Sequence, residues 1–321
     1  MAVYTKIGLD EMNLIEKNFS IGKILNYSGI KKGIENTNYL IKSKKRKFIL
    51  TIFEKRVNSR DLPFFMKLMS GLAKSKIKCP KPVENKKGKY LFKLKGKNAC
   101  LVTFLKGKDK NNLNSKECFI IGKNIAKLHN SSKKLKIFRK NSLSVNSWGP
   151  LLKKISRKIN KKFKDLSENM KIDYIQIKKL WPKKLPKGII HGDLFIDNIF
   201  FFKGSFYGFI DFYFSSNDYY AYDLAISVNA LCFNKKNNKF IMDKDKSSNL
   251  LKGYQSVRKL TKLEKNSFNT LCRGSALRYL LTRSYDFLNT SKKAIIKIKD
   301  PEEYIQKLDF HKNLTSFKDY C

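Results

Sequence analysis

Residues 189–214 constrain this chain more than any other stretch, because they place several polar side chains around a short predicted hairpin. They read I-I-H-G-D-L-F-I-D-N-I-F-F-F-K-G-S-F-Y-G-F-I-D-F-Y-F. Two aromatic and β-branched runs, residues 198–202 and 206–210, flank a turn that contains Gly204 and Ser205. A glycine followed by a serine suits a two-residue type II′ turn, so the stretch predicts a β-hairpin.

The register of this hairpin brings together side chains that could bind a metal. The turn pairs Lys203 with Phe206, and five steps outward along each strand Asn198 lies opposite Asp211. Two oxygen-bearing side chains suit Mg²⁺, which takes one or two protein ligands and completes its octahedron with phosphate oxygens and water. Asp193, on the loop before the hairpin, is then free to accept a proton from a hydroxyl. The alternative is a buried hairpin whose polar residues cap a turn.

The spacing of these polar residues is that of a phosphotransferase. Asn198 follows Asp193 by five positions, and Asp211 stands in Ile-Asp-Phe. Protein kinases have the catalytic loop H-R-D-x-x-x-x-N and place the next metal ligand in D-F-G. Because the first offset is the same, the motif favours a phosphotransferase site over a purely structural hairpin.

The composition predicts a folded protein with a lysine-rich surface. The 321 residues are 42% hydrophobic and 13% aromatic, which excludes a disordered chain and allows one large or two modest domains. Lysine and arginine number 69 against 26 acidic residues, which gives a net charge of +43. Because the lysines are spread from end to end without a long basic arm, we expect a solvated surface rather than a nucleic-acid partner. The positive field could still attract an anionic nucleotide.

The spacing of the cysteines and the length of the apolar runs indicate the cellular compartment of the protein. The six cysteines have no C-x-x-C spacing and the chain has three histidines, which argues against a zinc cluster. Reduced thiols are the simplest interpretation. The chain begins with no apolar signal core, and no apolar run approaches the ~20 residues of a membrane span. We therefore expect a soluble, cytoplasmic protein.

Hydrophobic periodicity predicts an α+β protein in two lobes. Strands are expected at residues 37–41, 48–53, 90–94 and 99–105, with helices at 9–19 and 61–73. Later helices are expected at residues 115–131, 151–175, 221–233 and 273–283. A small β-rich N-lobe, residues 1–106, would thus precede a larger helical C-lobe, residues 107–321. His129, in the first of the later helices, is interpreted as a core or capping histidine.

Three features of the first lobe could contact a nucleotide. Gly29 and Gly33 could let backbone amides approach phosphates, although an ordinary hairpin turn predicts the same residues. Phe104 and Leu105, near the hinge between the lobes, are candidates for the adenine edge, although an ordinary strand end also predicts them. Thr51 stands where a phosphate-anchoring lysine is expected. Either Lys55 or another base substitutes for that lysine, or loop amides and the metal neutralise the phosphates.

The motifs resemble the aminoglycoside phosphotransferase and choline kinase superfamily, whose fold is that of the protein kinases. The resemblance is carried by H-G-D-L-F-I-D-N, followed by I-D-F-Y-F-S-S-N-D and Y-D-L-A. More narrowly, the chain resembles the bacterial homoserine kinases of this superfamily in G-I-E-N-T-N-Y, F-I-L-T-I-F-E, D-L-P-F-F, L-A-K-L-H and R-G-S-A-L-R. The match spans nearly the whole chain, and Thr51 is itself part of the pattern in that subfamily.

The resemblance implies ATP-dependent phosphorylation of the L-homoserine hydroxyl, a step towards threonine, with ATP and Mg²⁺ as cofactors. In that reaction Asp193 would be the catalytic base and His191 would brace the loop. Asn198 and Asp211 would hold Mg²⁺, whereas Asp223, in Y-D-L-A, would support the loop. Catalysis would rest mainly on positioning and charge neutralisation around a loose transition state.

An amino-acid substrate requires a cation for its carboxylate and an acceptor for its ammonium group. Arg273, Arg278 and Arg283 are candidates for the carboxylate, because arginine meets it with a planar fork. Residues five apart on a helix do not share one face, so at most one or two of these arginines can point into the site. Asn217 and Asp218 are candidates for the ammonium group.

Two other functions stay open at the level of sequence. One is a kinase of another small hydroxyl compound, such as choline, an aminoglycoside or a sugar. Choline would require an aromatic cage, for which the chain offers tyrosines between residues 213 and 222, whereas an aminoglycoside would require an acidic pocket that suits this basic chain poorly. The other is a nucleic-acid-binding protein on an inactive kinase-like scaffold, although such a scaffold has no need for Asp193, Asn198 and Asp211 together.

Overall fold

An antiparallel five-stranded sheet forms the first part of the chain in the computed structural model, which describes residues 4–30, 36–54, 57–290 and 299–321. Its strands lie in the order β1-β2-β3-β5-β4 and comprise β1 (Ile24–Gly29), β2 (Thr37–Ser43), β3 (Lys47–Ile52), β4 (Leu91–Leu94) and β5 (Lys97–Thr103). Helix α1 (Leu9–Asn18) precedes the sheet, and helix α2 (Leu62–Lys74) follows β3. The two helices and four strands predicted for this part are confirmed.

The sheet is apolar on both faces. On one face, Leu50 and Leu101 belong to a buried cluster with Met12 and Ile15 of α1. On the other face, Cys100 joins residues of α2 and of the later helices in a larger cluster. Successive residues in a strand point to opposite faces, so the same strands serve both clusters. Because the larger cluster runs across residue 106, the lobe boundary there stays a prediction.

Three two-stranded sheets and seven helices follow in the described part of the chain. The strands pair as β6 (Lys187–Ile190) with β9 (Ser216–Tyr219), β7 (Ile199–Phe202) with β8 (Ser205–Phe209), and β10 (Phe233–Lys236) with β11 (Lys239–Met242). The helices are α3 (Ser115–Ser132), α4 (Val145–Ile159), α5 (Leu166–Leu180), α6 (Tyr220–Leu231), α7 (Lys244–Gln255), α8 (Lys262–Asn289) and α9 (Glu302–Lys312). The predicted α+β class is confirmed. No helix within the described ranges combines the length and apolar character needed to cross a membrane.

The single helix predicted at residues 151–175 is wrong, since α4 and α5 share that stretch. Between them Asp165 has a left-handed backbone with φ 54°. The side-chain oxygen of Asn160 accepts a hydrogen bond from the Ser167 N–H at 2.8 Å. A side chain that binds a nearby backbone amide competes with helical hydrogen bonding. The polar run N-K-K-F-K-D at residues 160–165 therefore interrupts the helix.

The connection from β5 to α3, residues 104–114, runs along the hairpin formed by β7 and β8. Lys108 and Phe201 exchange two backbone hydrogen bonds, at 3.0 and 2.8 Å. Beside them Gly107 has φ 105°, and a Cβ at this position would lie 2.4 Å from the Phe201 carbonyl oxygen. Glycine is required for so close an approach. The segment that follows β5 therefore packs directly against the hairpin.

Candidate active site

The hairpin of β7 and β8 closes on a different turn from the predicted one. Its central residues are Lys203 and Gly204, with φ of 49° and 78°, and Phe202 pairs with Ser205. Two positive φ values are typical of a type I′ turn, which favours glycine at the second central position. The predicted type II′ turn at Gly204 and Ser205 is therefore wrong by one residue.

A β-bulge then changes the register farther along the hairpin. It lies between Phe200 and Phe201, and beyond it Ile210 lies opposite Asn198, to whose carbonyl it donates a backbone hydrogen bond at 3.0 Å. The predicted pairing of Asn198 with Asp211 is wrong because the turn lies one residue earlier than predicted, which alone would pair Asn198 with Phe209; the bulge moves the pairing back by one residue, to Ile210. Asp211 comes one residue later, exposed, in a left-handed backbone conformation with φ 62° and ψ 65°. Both residues still lie at the same end of the hairpin.

The loop between β6 and β7 carries the predicted catalytic residues. Its Gly192 has φ 79°, and a Cβ at this position would lie 2.9 Å from the Phe214 carbonyl oxygen. Both conditions favour glycine, because other residues rarely adopt this backbone and none could approach so closely. The glycine of His-Gly-Asp therefore lets the loop pack against the segment that follows Asp211.

Asp223 of α6 holds this loop in place. Its buried carboxylate accepts hydrogen bonds from the backbone N–H groups of His191 at 2.9 Å and Gly192 at 2.8 Å. His129 of α3 contributes a third contact from Nε2, at 3.0 Å. Burial opposes ionisation, but the three partners outweigh it and lower the pKa of Asp223 below its usual value. These contacts agree with the predicted supporting role of Asp223 and with a core position for His129.

Asp193 projects from the loop as a half-buried carboxylate. Its Oδ1 accepts a hydrogen bond from the Tyr279 hydroxyl at 3.0 Å, and its Oδ2 accepts one from the Asn198 amide at 3.2 Å. The low polarity of its surroundings raises the pKa of Asp193, against the opposing effect of Arg278. A carboxylate with a raised pKa and a fixed orientation is suited to accept a proton from a hydroxyl.

His191 joins the loop to the end of the hairpin. Its Nε2 donates to the Ile210 carbonyl at 2.9 Å, which leaves Nδ1 to accept from the Asp193 N–H at 3.3 Å. This arrangement requires the neutral imidazole, and burial lowers the pKa of His191, which favours that form. The contacts are those expected of a residue that braces the loop.

Asn198 and Asp211 have the donor atoms of a magnesium site. The Asn198 amide nitrogen donates to the Asp193 carbonyl at 2.8 Å as well as to its carboxylate, so the amide oxygen is the end left for a cation. Asp211 adds an exposed carboxylate. Amide and carboxylate oxygens are the ligands that Mg²⁺ prefers, and two protein ligands suffice when phosphate and water complete the octahedron. The residues present therefore fit a Mg²⁺ ion.

Arg278 reaches the loop from α8. The residue is 3% exposed, and its guanidinium donates to the Gly192 carbonyl at 2.9 Å. Its Nε is buried and has no hydrogen-bond partner of good geometry among the described residues, although the buried Tyr222 hydroxyl lies close enough to interact with the guanidinium. Asp218 of β9 is half-buried and accepts from the Asn141 amide at 2.6 Å, and burial raises the pKa of Asp218 while Arg278 opposes the rise. A buried cation and a carboxylate thus lie near the predicted base.

The other candidates for substrate binding have different partners. Arg273 contacts Asp173 and Gln176 of α5, at 3.7 and 3.0 Å, and so does not join the loop. Five residues correspond to about 140° around a helix, which sends Arg273 and Arg278 to different neighbours. Arg283 binds Glu303 in α9. The side-chain oxygen of Asn217 accepts from the Arg139 N–H at 2.9 Å, so that oxygen serves the packing of β9.

The nucleotide candidates of the first lobe occupy two ends of the sheet. Gly29 is the exposed last residue of β1, whereas Gly33 and Lys55 fall outside the described residues. Phe104 follows β5 and its N–H donates to the Lys47 carbonyl at 3.2 Å, with Leu105 half-buried beside it. Thr51, on β3, is 2% exposed. Their roles towards a nucleotide stay predictions.

Sequence reasoning missed two residues that organise the site. Tyr279, which binds Asp193, directly follows Arg278, and the motif R-G-S-A-L-R ends one residue before it. Arg139 lies in a stretch without any motif. Its guanidinium binds the Asp61 carboxylate at 2.7 Å and the Ser215 carbonyl at 3.0 Å, which ties the start of α2 to the segment after Asp211. No pattern in the sequence indicated this contact.

Comparison with known sequences places these residues in a family. The sequence model of the phosphotransferase enzyme family matches residues 26–258. A homoserine kinase of Agrobacterium fabrum is 42% identical over 320 residues, which cover 100% of this chain and 98% of that protein. Homoserine kinases of Methylorubrum populi and Rhizobium meliloti are 39% and 41% identical, again over 100% of this chain and over 99% and 97% of their own lengths.

Solved structures with a similar fold are kinases of small molecules. The amicoumacin kinase hAmiN, in complex with AMP-PNP and Ca²⁺, has a TM-score of 0.70 at 15% identity and covers 97% of this chain and 94% of its own. A spectinomycin phosphotransferase has a TM-score of 0.68 at 15% identity, with 98% of both chains covered. At such identities the likeness shows the fold alone, and it confirms the predicted two-lobed, protein-kinase-like architecture.

Proposed function

We infer that this chain, which belongs to the phosphotransferase enzyme family and groups there with the homoserine kinases, transfers the terminal phosphoryl group of ATP to the hydroxyl of L-homoserine. The observation that carries this proposal is the 42% identity to a homoserine kinase over the full length of the chain. The local geometry adds support, since the half-buried Asp193 carboxylate is held by two donors beside a buried arginine.

Asp193 acts on the acceptor hydroxyl in this mechanism. Its carboxylate orients the homoserine hydroxyl towards the phosphoryl group and accepts its proton as the new P–O bond forms and the bond between the phosphoryl group and ADP breaks. Tyr279 and Asn198 hold the two carboxylate oxygens, so the base does not need to reorient during the reaction. In a loose transition state this positioning is the main contribution of the protein.

Asn198 and Asp211 hold the magnesium ion in the same proposal. When bound there, Mg²⁺ would neutralise charge on the phosphate oxygens of ATP. Asn198 has two tasks, because its nitrogen fixes Asp193 while its oxygen faces the cation. A single side chain would thus connect the base to the metal. His191 keeps the loop and the hairpin end together through its two ring nitrogens.

Arg278 and Asp218 recognise the amino-acid part of the substrate. The buried Nε of Arg278 needs a hydrogen-bond acceptor, and a substrate carboxylate supplies one with the planar geometry that guanidinium prefers. Asp218 accepts hydrogen bonds from the substrate ammonium group, with Asn217 as its neighbour on β9. An unpaired buried donor is costly, so a ligand that satisfies it gains affinity over one that does not.

The nucleotide contacts are proposed from the first lobe. Backbone groups of Phe104 and Leu105 bind the adenine edge, and the amides near Gly29 and Gly33 approach the phosphates. The hinge position of the first pair is supported by the contact of residues 107 and 108 with the hairpin. We place the enzyme in the cytoplasm, where ATP and free amino acids are present.

The test is ADP release by the purified chain with Mg·ATP and one acceptor at a time: L-homoserine, L-serine, L-threonine, choline or kanamycin. We expect turnover with L-homoserine that is abolished by Asp193→Asn. Asp309→Asn, at a site where the side chain is 60% exposed, is the matched control and should be fully active. Preferred turnover of another acceptor would overturn the substrate assignment, and full activity of Asp193→Asn would overturn the assignment of the base.

A further inference from the structure

One row of side chains on the first-lobe sheet faces the catalytic side. Asn38 on β2, Thr51 on β3 and Cys100 on β5 are direct neighbours across the strands. The hydroxyl of Tyr213, two residues after Asp211, lies 3.9 Å from the sulfur of Cys100 and also contacts Thr51. The row therefore covers the segment that follows the metal-binding carboxylate.

Hydrogen bonds in this row fix the orientation of the Asn38 amide. The Thr51 hydroxyl donates to Asn38 Oδ1 at 2.8 Å, while Thr51 itself is 2% exposed. A threonine hydroxyl has one proton, and the bond to Asn38 uses it, so the Asn38 amide presents its oxygen to Thr51. The amide oxygen of Asn38 is thereby engaged, and its NH₂ group points away from Thr51 with no hydrogen-bond partner within the described ranges.

The backbone places Asn38 where β1 and β2 begin to pair. Its carbonyl accepts a hydrogen bond from the Ile30 N–H at 2.8 Å, directly after Gly29, and its side chain is half-buried. In protein kinases the connection between the first two strands covers the nucleotide phosphates, and a lysine on the third strand binds them. In this chain Thr51 cannot supply that cation.

We propose that the Asn38 amide is the phosphate-binding donor of the first-lobe sheet, with Thr51 and Tyr213 as positioning residues that hold its NH₂ group towards the nucleotide. The proposal rests on the proposed phosphotransferase function and deepens it. A neutral amide donates hydrogen bonds but carries no charge. The negative charge of the phosphates would therefore be neutralised by the cation held by Asn198 and Asp211.

The experiment measures binding of ATP, ADP, AMP and adenosine in the presence of Mg²⁺ by titration calorimetry, without any acceptor. We expect Asn38→Ala to weaken ATP binding by about tenfold to a hundredfold, as for a hydrogen bond to a charged group, and to leave adenosine binding unchanged. The first nucleotide in the series to show the loss identifies the phosphate. Asn26→Ala, at an exposed position of β1, is the matched control and should bind all four ligands normally.

Variants of Thr51 distinguish the role of its hydroxyl in positioning Asn38 from the role of its side-chain volume in packing. Thr51→Val removes the hydroxyl at nearly constant volume and should raise KM for ATP at unchanged KM for L-homoserine, whereas Thr51→Ser should restore binding. The double variant with Asn38→Ala should bind ATP no more weakly than Asn38→Ala alone, because both changes remove the same contact.

Two results would overturn the proposal: normal ATP binding by Asn38→Ala, or an equal loss for adenosine and ATP. Because no acceptor is present, the outcome is independent of the substrate assignment. A chain that binds ATP through Asn38 but does not phosphorylate L-homoserine would refute the proposed reaction and leave this inference standing.

Discussion

Replacing Asp223 by asparagine tests the central support of the loop between β6 and β7. The carboxylate is fully buried and accepts backbone hydrogen bonds from His191 and Gly192 and a ring contact from His129. An amide has one oxygen in place of two. In either orientation of the amide, its NH₂ group faces the backbone N–H of His191 or of Gly192. That backbone N–H and the amide N–H that faces it are then both left without an acceptor.

The expected loss in the free energy of unfolding follows from these contacts. A buried donor without a partner costs about 1–3 kcal/mol, and loss of the negative charge weakens the bonds that remain. Breaking a buried charged network typically costs about 3–5 kcal/mol, so we expect Asp223→Asn to lower the free energy of unfolding by about that amount. Domains of this kind are stable by only about 5–15 kcal/mol, so the effect is large.

Urea denaturation at neutral pH is the assay, with Asp309→Asn as the control, expected within about 0.5 kcal/mol of wild type. The difference between wild type and Asp223→Asn should also depend on pH. The folded-state pKa of Asp223 is lowered, so its stabilising contribution is present above the unfolded pKa of about 4 and is lost as the pH falls through the folded value. A destabilisation below about 1 kcal/mol, or a difference independent of pH, would refute this reasoning.

Three further predictions concern the neighbours of this loop. Tyr279→Phe removes a donor to the Asp193 carboxylate and should raise the pKa of Asp193, so the acid limb of the kcat/KM profile for L-homoserine moves to higher pH. Tyr304→Phe, in a ring that packs against Tyr279, should leave the limb unmoved. Asp211→Asn should raise the Mg²⁺ concentration for half-maximal activity at least about tenfold at constant KM for L-homoserine, and an unchanged Mg²⁺ dependence would contradict the metal site. Arg139→Gln and Asp61→Asn should show a coupling of about 1–2 kcal/mol in a urea double-mutant cycle, whereas additive effects would mean that the ion pair contributes nothing.

Local patterns predicted much of this protein. The spacing of His191, Asp193 and Asn198 is a property of one loop, and in the structure Asp193 contacts both of the other residues. The strands and the helix at residues 115–131 were also predictable, because hydrophobic periodicity reports which face of an element is buried. Where local signals were mixed, as in the lysine-rich run at residues 160–165, the prediction of one continuous helix failed.

Sequence patterns did not predict two small features of the backbone. The hairpin register depended on a bulge between Phe200 and Phe201 and on two consecutive residues with positive φ. Counting from a turn assumes regular pairing, and a single extra residue on one strand moves every later pair. Asn198 and Asp211 nevertheless stay at one end of the hairpin, so the metal-site hypothesis survives the wrong register.

The sequence by itself determined which residues share the loop between β6 and β7, because their separations are short and the backbone has few ways to connect them. Only the tertiary structure decided which distant side chains meet that loop. Tyr279 lies 86 residues from Asp193, and Arg278 was one of three equivalent candidates until the packing of α8 turned it towards Gly192. Contacts over such separations depend on how helices pack, and helical packing has no local signature in the chain.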